Sequence, residues 1–196
     1  MNKLEKGALP LELKRKSFHL IAGICITLYV YFLGAAFGKL VALPILAGVL
    51  VFYILQAFRE NPINRFLVGN FERDKKARTL YKGVIFYGLG VSIPILFLDT
   101  LSACAVIAIL SVGDAAATLI GKFFGKRKLF GGKKSIEGAL GFIVFSVPAA
   151  WVFIHNPAYS LFFGFIGALV EFFSPVDDNL AIPIALTAVM LALTLL

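Results

Sequence analysis

The sequence predicts an all-α protein, a polytopic transmembrane helical bundle that forms a single domain over residues 1–196. Of its 196 residues, 60% are hydrophobic and only 15% are charged, and the mean hydropathy is +0.91. Soluble domains are closer to half apolar and a quarter charged, and disordered or collagen-like chains are much less apolar, so these classes are excluded. The apolar runs are continuous rather than alternating, which favours helices over a membrane β-barrel.

Seven apolar stretches come near the length of about 20 residues that a helix needs to cross the hydrocarbon layer. They lie at 17–37, 40–58, 83–98, 100–121, 136–154, 158–173 and 181–196. Sixteen residues with seven charges precede the first stretch, so we expect a transmembrane helix there rather than a cleaved signal peptide.

Lysine and arginine predict the orientation, because cytosolic loops of membrane proteins carry an excess of both. Eighteen of the 19 basic residues precede the first stretch or lie between the second and third or between the fourth and fifth. With seven spans, these three segments share one side of the membrane and only Lys39 lies opposite. The N-terminus is therefore predicted in the cytosol, and the net charge of +8 is interpreted as topology rather than nucleic-acid binding.

Segment 59–82 is too polar to cross the membrane. Apolar side chains such as Ile63, Phe66 and Leu67 are interspersed with basic ones, which favours an amphipathic helix in the plane of the interface. A solvated basic loop attracted to anionic lipid explains the same pattern.

Cysteine and histidine contribute little predicted chemistry. Cys25 and Cys104 both lie in apolar runs and indicate neither a disulfide framework nor a metal-binding pair. With only His19 and His155, a metal site built from histidine is not expected.

Acidic residues are the more informative minority. Five lie inside predicted helices or near their cytosolic ends: Asp114, Glu137, Glu171, Asp177 and Asp178. An ionisable group in a membrane helix is costly unless it is paired, which makes these residues functional candidates. A lysine partner that ties two helices together is the alternative for Asp114, and capping of its own helix is the alternative for Glu137. Acidic residues in the polar segments, Glu12 among them, are interpreted as solvated.

Carboxylates beside many lysines are typical of a site for a polyanion held through a divalent cation. Mg²⁺ prefers oxygen ligands and often bridges one or two carboxylates to phosphate oxygens. Segment 121–138 supplies glycines that let the backbone approach a phosphate, followed by a helix N-terminus that attracts anions. Its nucleotide-binding candidates are Gly121, Gly125, Gly131, Gly132, Lys133, Lys134 and Ser135. Arg127 replaces the first glycine of a Walker A loop, which rejects that motif. Helix packing explains the spacing of Gly121 and Gly125 equally well.

The order of these motifs resembles the membrane-bound CTP-dependent lipid-alcohol kinases, a group that includes dolichol kinase, phytol kinase and CTP-dependent diacylglycerol kinase. The matching motifs are Arg15-Lys16 with His19, Gly113-Asp114 with Gly121 and Gly125, Lys134-Ser135-x-Glu137-Gly138, and Glu171 with Asp177-Asp178-Asn179 and Pro183. They span nearly the whole chain. Its compact length favours a phytol-kinase-like or prokaryotic polyprenol kinase-like member over dolichol kinase.

The resemblance implies that the γ-phosphoryl group of CTP, or of UTP, is transferred with Mg²⁺ to the hydroxyl of a membrane lipid alcohol. Polyprenol, dolichol, phytol and geranylgeraniol are the acceptors expected. The active site would face the cytosol, with membrane lipids around it, no nucleic-acid partner, and an oligomeric state that stays open. The alternatives are a lipid-phosphate cytidylyltransferase, which releases pyrophosphate, and a small non-enzymatic transporter.

The residues that match the motifs divide into four predicted roles. Catalysis is assigned to Asp114, Glu137 and Lys134, and metal binding to Asp114, Glu137, Glu171, Asp177 and Asp178. Asn179 joins the nucleotide-binding candidates of segment 121–138, with a turn role as its alternative. Arg15, Lys16 and His19 contact a phosphate or headgroup, or else anchor the end of the first helix. Asp114 is either a metal ligand or the base near the substrate hydroxyl, and the sequence does not separate the two.

Overall fold

The computed structural model describes residues 3–58, 60–71, 80–128 and 134–194. Its helices are α1 (Lys3–Phe37), α2 (Ala42–Leu55), α3 (Pro62–Phe71), α4 (Lys82–Phe97), α5 (Thr100–Ala108), α6 (Asp114–Phe124), α7 (Ile136–Ile154), α8 (Pro157–Phe173) and α9 (Asp178–Thr194). A 3-10 helix, Gly38–Val41, joins α1 to α2, and a π-helical segment, Ile109–Gly113, joins α5 to α6. Within these ranges, the β-type pairing is limited to one antiparallel bridge between Lys128 and Ser135.

The predicted all-α class is confirmed for the part of the chain that the structure describes, and each of the seven apolar stretches forms a helix. Three helical segments are long and apolar enough to cross a membrane by length and composition: Leu11–Leu55, Thr100–Phe124 and Ile136–Ile154. The helices α4, α8 and α9 are apolar but shorter. Seven spans, and their orientation, therefore stay predictions.

Helix α1 begins at Lys3, well before the predicted start at residue 17. The sequence predicts that this helix begins near Arg15, Lys16 and His19. The structure instead places all three inside the helix, more than ten residues after its start. The upstream segment is rich in Leu, Lys and Glu, which are strong helix formers. Glu12 in this segment also contacts Lys122 of α6, so the upstream part of the helix takes part in tertiary contact.

Helix α5 lies at the centre of the bundle. Its residues from Ala103 to Ile107 are almost fully buried, and α1, α4, α7 and α9 pack around it. In the apolar window of Thr100–Phe124, 72% of the residues are buried, against 11% in that of Leu11–Leu55. Small side chains such as Ala103 and Ala105 let four neighbours approach this helix, whereas α1 and α2 leave large apolar side chains on the outside of the bundle.

The connections between helices alternate between the two ends of the bundle. At one end lie the α6–α7 and α8–α9 connections and the start of α4, together with most of the polar candidates. The opposite end has the 3-10 helix with Lys39 and two capped turns. In those turns, Asp99 accepts hydrogen bonds from the Leu101 and Ser102 amides, and Asn156 caps α8 in the same way. The charged candidates are thus gathered at one end.

The predicted amphipathic segment 59–82 contains α3, while Arg59 and residues 72–79 lie outside the described residues. Asn64 fixes this helix to its neighbours, because its Nδ2 donates to the carbonyl oxygens of Leu55 at 2.5 Å and Phe58 at 2.6 Å. The Tyr81 hydroxyl donates to Asn64 Oδ1 from the other side. Phe66 is exposed on the helix. Helical structure is found over Pro62–Phe71, and its position in the membrane interface stays a prediction.

Candidate active site

Asp114 is a buried carboxylate where the π-helical segment meets α6. Its side chain is 3% exposed, and its Oδ2 lies 2.5 Å from Lys16 Nζ and 3.4 Å from His19 Nε2. This is the lysine pairing that the sequence left open as an alternative, and it ties α1 to α6. π-Helical segments are rare in proteins, but those that occur are often found at functional sites. Here the segment ends directly before the carboxylate.

A second polar layer supports the π-helical segment. The Ser111 hydroxyl donates to the Ile107 carbonyl at 2.6 Å, so it accepts the 2.7 Å hydrogen bond from the Tyr87 hydroxyl. The Tyr87 ring lies against His19, with 4.3 Å between ring centroids. Sequence reasoning did not select Tyr87 or Ser111, although a hydroxyl inside an apolar helix is a usable signal. Together they hold His19 beside Asp114.

Lys134 joins the ends of three helices. It lies just before α7, and its Nζ is 2.8 and 2.9 Å from the two carboxylate oxygens of Asp178, at the start of α9. The same ammonium lies 3.2 Å from Glu171 Oε1, near the end of α8, and donates to the Glu171 carbonyl oxygen. Burial alone would lower the pKa of Lys134, but the hydrogen bond and charge of Asp178 and the charge of Glu171 raise it overall. Lys134 is therefore a cation at neutral pH.

These two groups of charges form one site, which we call the charged cluster: Lys16, His19, Asp114, Lys134, Glu171 and Asp178. Asp114 interacts electrostatically with Lys134, and both Glu171 and Asp178 interact with Asp114 in turn. The structure thus brings together residues from five helical segments that the sequence motifs place far apart. Each helical segment contributes only one or two of the six residues.

Glu137 lies beside a loop, and within the part of the chain that the structure describes no hydrogen bond or ion pair joins it to the charged cluster. Its carboxylate accepts hydrogen bonds from the backbone amides of Lys126 and Arg127, at 3.1 to 3.2 Å, and so holds the loop that follows α6. The cap of α7 is Ser135, whose Oγ accepts from the Gly138 amide at 3.1 Å. The capping alternative for Glu137 is retained in part, because Glu137 lies in the first turn of α7 and its carboxylate also accepts a hydrogen bond from its own backbone amide. A catalytic or metal-binding role for Glu137 stays a prediction.

The glycines of the predicted phosphate loop pack helix against helix. A Cβ on Gly125 would overlap the Gly121 carbonyl oxygen and lie 2.6 Å from Ser135 Oγ, and one on Gly121 would lie 3.2 Å from Ser135 Oγ. This close approach of α6 to the start of α7 accounts for both glycines as packing residues. Contact with a nucleotide stays a prediction for Gly121, Gly125 and Ser135, and Gly131, Gly132 and Lys133 lie outside the described residues.

Asp177 and Asn179 help to begin α9. Asp177 Oδ1 accepts from the Asn179 amide at 3.2 Å, which is the turn role predicted as the alternative for Asn179. The Asn179 side-chain Nδ2 donates to the Gly83 carbonyl at 3.5 Å, while its buried Oδ1 has no hydrogen-bond partner among the described residues. A nucleotide-reading role for Asn179 stays a prediction.

Glu12 is the residue that sequence reasoning placed wrongly. The sequence indicated a solvated carboxylate, but its side chain is 4% exposed and its Oε2 lies 3.3 Å from Arg15 Nη1 and 3.5 Å from Lys122 Nζ. The error follows from starting the first helix too late. Once α1 is extended upstream, the four-residue spacing of Glu12 and Lys16 places both on the face that meets α6.

The five predicted metal ligands do not converge as one set. Over the described ranges, no three His, Cys, Asp or Glu side chains lie together as a metal-binding group. Asp114 pairs with Lys16, and Glu137 and Asp177 bond backbone amides. Glu171 and Asp178 do converge, because both contact the Lys134 ammonium. Two carboxylates plus phosphate oxygens are a donor set that suits Mg²⁺, so the chemistry of this pair fits the ion.

Comparison with known proteins places the chain in a family. An uncharacterized protein of Methanocaldococcus jannaschii is 30% identical over 179 residues, covering 88% of each chain. CTP-dependent diacylglycerol kinase 1 of Saccharomyces cerevisiae is 33% identical over 157 residues, which cover 76% of this chain and 53% of the yeast protein. Probable phytol kinase 2, chloroplastic, of Oryza sativa subsp. japonica is 25% identical over 200 residues, covering 92% of this chain and 66% of the rice protein.

The chain therefore belongs to the same family as the M. jannaschii protein, and its similarity to two proteins named as kinases supports the lipid kinase family. The chain spans about half of the length of the yeast relative and just under two thirds of the rice one. Its apolar helices and these relatives together indicate a membrane protein. No family model matches the chain. No solved structure matches it either.

Proposed function

We propose that this protein is a multi-pass membrane kinase that transfers the γ-phosphoryl group of CTP to the hydroxyl of a membrane lipid alcohol. The observation that carries the proposal is the charged cluster, in which two lysines and three carboxylates converge at one end of an apolar bundle. The names of the yeast and rice relatives support the donor and the class of acceptor. Polyprenol, phytol, geranylgeraniol and dolichol are the acceptors proposed, and UTP is a second donor to be tested.

The proposed site lies at the boundary between the cytosol and the lipid bilayer. A nucleotide reaches the charged end of the bundle from the cytosol, while a lipid alcohol reaches it from the hydrocarbon layer around the exposed apolar side chains of α1 and α2. The surrounding helices exclude water that would otherwise hydrolyse the nucleotide. This arrangement explains why charged groups are concentrated at one end and not at the middle of the bundle.

Each group in the cluster has a proposed task. Lys134 and Lys16 stabilise the charge of the phosphates, because phosphoryl transfer depends mostly on positioning and electrostatics. Glu171 and Asp178 would hold Mg²⁺, which supplies further charge neutralisation when bound. The oxygen of the lipid hydroxyl attacks the γ-phosphorus, and the bond from that phosphorus to the β–γ bridging oxygen breaks, releasing CDP. Asp114 accepts the proton of the hydroxyl.

The test is a transfer assay on the purified protein in nanodiscs of neutral phospholipid. γ-Labelled CTP, UTP, ATP and GTP are each offered with polyprenol, phytol, geranylgeraniol, dolichol or diacylglycerol, with Mg²⁺ and with EDTA. We expect labelled lipid phosphate only when Mg²⁺ and CTP, or UTP, are both present, with CDP or UDP as the second product. A parallel reaction offers CTP with a lipid phosphate, and release of pyrophosphate there would indicate a cytidylyltransferase instead. Absence of label in every lipid would contradict the proposal.

A further inference from the structure

A second group of charges lies along the contact between α1 and α6, outside the charged cluster. The carboxylate of Glu12 is shared by Arg15 on its own helix and Lys122 on α6. We infer that Arg15 and Lys122 form a cation pair that binds the phosphate chain of the nucleotide, and that Glu12 is the positioning residue that holds the pair. This inference rests on the proposed function and extends it to residues that the motifs did not assign together.

The pair is connected to the proposed reaction site by an alternating row of charges. Glu12 meets Lys122, and one turn further along α1 Lys16 meets Asp114. Because the residue numbers rise on α1 as they fall on α6, the two helices run antiparallel through this contact. Asp114 and Lys122 are eight residues apart on α6, which corresponds to about 12 Å along the helix axis. A triphosphate that reaches the cluster at one end can therefore meet the cation pair further along α6.

Burial distinguishes the roles of the three side chains. Glu12 is 4% exposed, whereas Arg15 is 28% and Lys122 is 36% exposed, so the carboxylate lies beneath the two cations. Arginine carries five N–H donors and lysine carries three, more than one carboxylate can accept. Donors of the two cations are therefore left over for a second anion, and the partial exposure of both side chains gives it access.

Glu12 also reduces the entropy that phosphate binding must overcome. Arginine and lysine are long and flexible, and ordering such side chains costs about 0.5–1.5 kcal/mol each when a ligand binds. Here the buried carboxylate orders both before the ligand arrives. The two cations keep a net positive charge over Glu12, so the group attracts an anion.

The anion is the nucleotide phosphate chain and not a lipid headgroup, because Lys122 lies two helical turns beyond Asp114 toward the C-terminal end of α6. That direction leads away from the apolar α5 and toward the basic loop at Lys126–Lys128. A lipid phosphate is the competing source of the same chemistry, and the experiment separates the two.

The experiment compares Lys122→Gln with the full-length wild-type protein in nanodiscs of neutral lipid, measuring kcat and the KM values of CTP and acceptor. We expect the KM of CTP to rise about tenfold, which corresponds to one lost charge-assisted contact, while the KM of the acceptor stays unchanged. Lys39→Gln is the matched control, since Lys39 is exposed at the opposite end and should behave as wild type. Glu12→Gln should raise the KM of CTP as well, and Glu12→Asp should restore part of it.

A binding measurement keeps the test independent of catalysis. Calorimetric titration with inorganic tripolyphosphate should show weaker binding for Lys122→Gln than for the wild type and Lys39→Gln, even if no lipid tested is phosphorylated. If the wild type transfers phosphate but Lys122→Gln alters neither the CTP KM nor tripolyphosphate binding, the inference is overturned and the proposed function stands. The kinetics are repeated in nanodiscs that contain anionic phospholipid. An effect of Lys122→Gln confined to the acceptor KM, or seen only in the anionic nanodiscs, would assign the pair to a lipid headgroup and also overturn the inference.

Discussion

At the scale of single residues, each lysine and each carboxylate in the cluster already contacts a group of opposite charge within the protein. Asp114 is matched by Lys16, and Lys134 by Asp178 and Glu171. Removing one member of a buried ion pair leaves the other uncompensated, at a cost of about 3–5 kcal/mol. Loss of activity in a single variant therefore mixes chemistry with stability, and the variants below are designed to separate them.

Asp114→Asn is expected to reduce phosphoryl transfer at least about 100-fold, because the variant removes the proposed proton acceptor. It should also lower the thermal stability, since Lys16 loses its partner. Combining Lys16→Met with Asp114→Asn removes both charges and should recover stability without recovering transfer. Recovery of both in the double variant would show that Asp114 only balances Lys16.

Lys134→Ala is expected to raise the KM of CTP much more than the KM of the lipid acceptor, because the ammonium is proposed to contact phosphate. Lys126→Ala removes an exposed lysine from the neighbouring loop and is the matched control. Steady-state kinetics with each substrate varied in turn provide the measurement. Equal changes in both KM values would contradict the assignment of Lys134 to the nucleotide.

At the scale of helices, glycine allows the close contacts that position the site. A Cβ on Gly90 would overlap the Asn179 carbonyl oxygen, so α4 and α9 meet backbone to backbone beside Asp178. A Cβ on Gly113 would meet the Phe142 ring at 2.6 Å, which sets the distance between the π-helical segment and α7. The positions of Asp178 and Asp114 therefore depend on glycine at positions 90 and 113, where a larger residue would push the helices apart.

Gly90→Ala is expected to lower the free energy of unfolding by about 1–3 kcal/mol through overpacking, and to reduce activity because α9 shifts. Gly48→Ala is the control in the same bundle, as its Cβ meets nothing within 4 Å. Alanine there should be neutral or stabilising by up to about 1 kcal/mol from helix propensity. Thermal unfolding in detergent measures both, and equal melting temperatures would refute the close crossing of α4 and α9.

At the scale of the whole molecule, charge is distributed unevenly between the two ends of the bundle. Lys134, Lys16 and the loop after α6 lie at one end, and Lys39 lies at the other. A charge difference of this kind orients a membrane protein with its basic end in the cytosol. The proposed site therefore depends on the orientation of the entire chain.

Cysteine labelling measures that orientation. In a background with Cys25→Ser and Cys104→Ser, we expect Lys39→Cys to react with a membrane-impermeant maleimide in intact cells. Lys126→Cys should react only after permeabilisation, because three predicted spans separate the two positions. Ala158→Cys lies at the same end as Lys39 and is the matched control. Labelling of positions 39 and 126 from the same side would contradict the seven-span topology.

The sequence by itself determined the helical class and which charged residues are candidates for the site. Continuous apolar runs permit one regular structure in a membrane, since a helix satisfies its own backbone groups. Carboxylates and lysines are few in such a chain, so residue type and position alone make Asp114, Lys134, Glu171 and Asp178 recognisable as candidates.

Only the tertiary structure decided which charges meet. The pairings of Lys16 with Asp114 and of Lys134 with Asp178 join residues far apart in the chain, and no local pattern encodes such a contact. The burial of Glu12 depends on α6 covering the start of α1. The Glu137 carboxylate meets the Lys126 and Arg127 amides only because the end of α6 lies beside the start of α7. Whether a residue is apolar or charged depends on whether lipid or water surrounds it, and the sequence shows this directly. Which residue it contacts depends on how the helices pack, and the sequence does not show that.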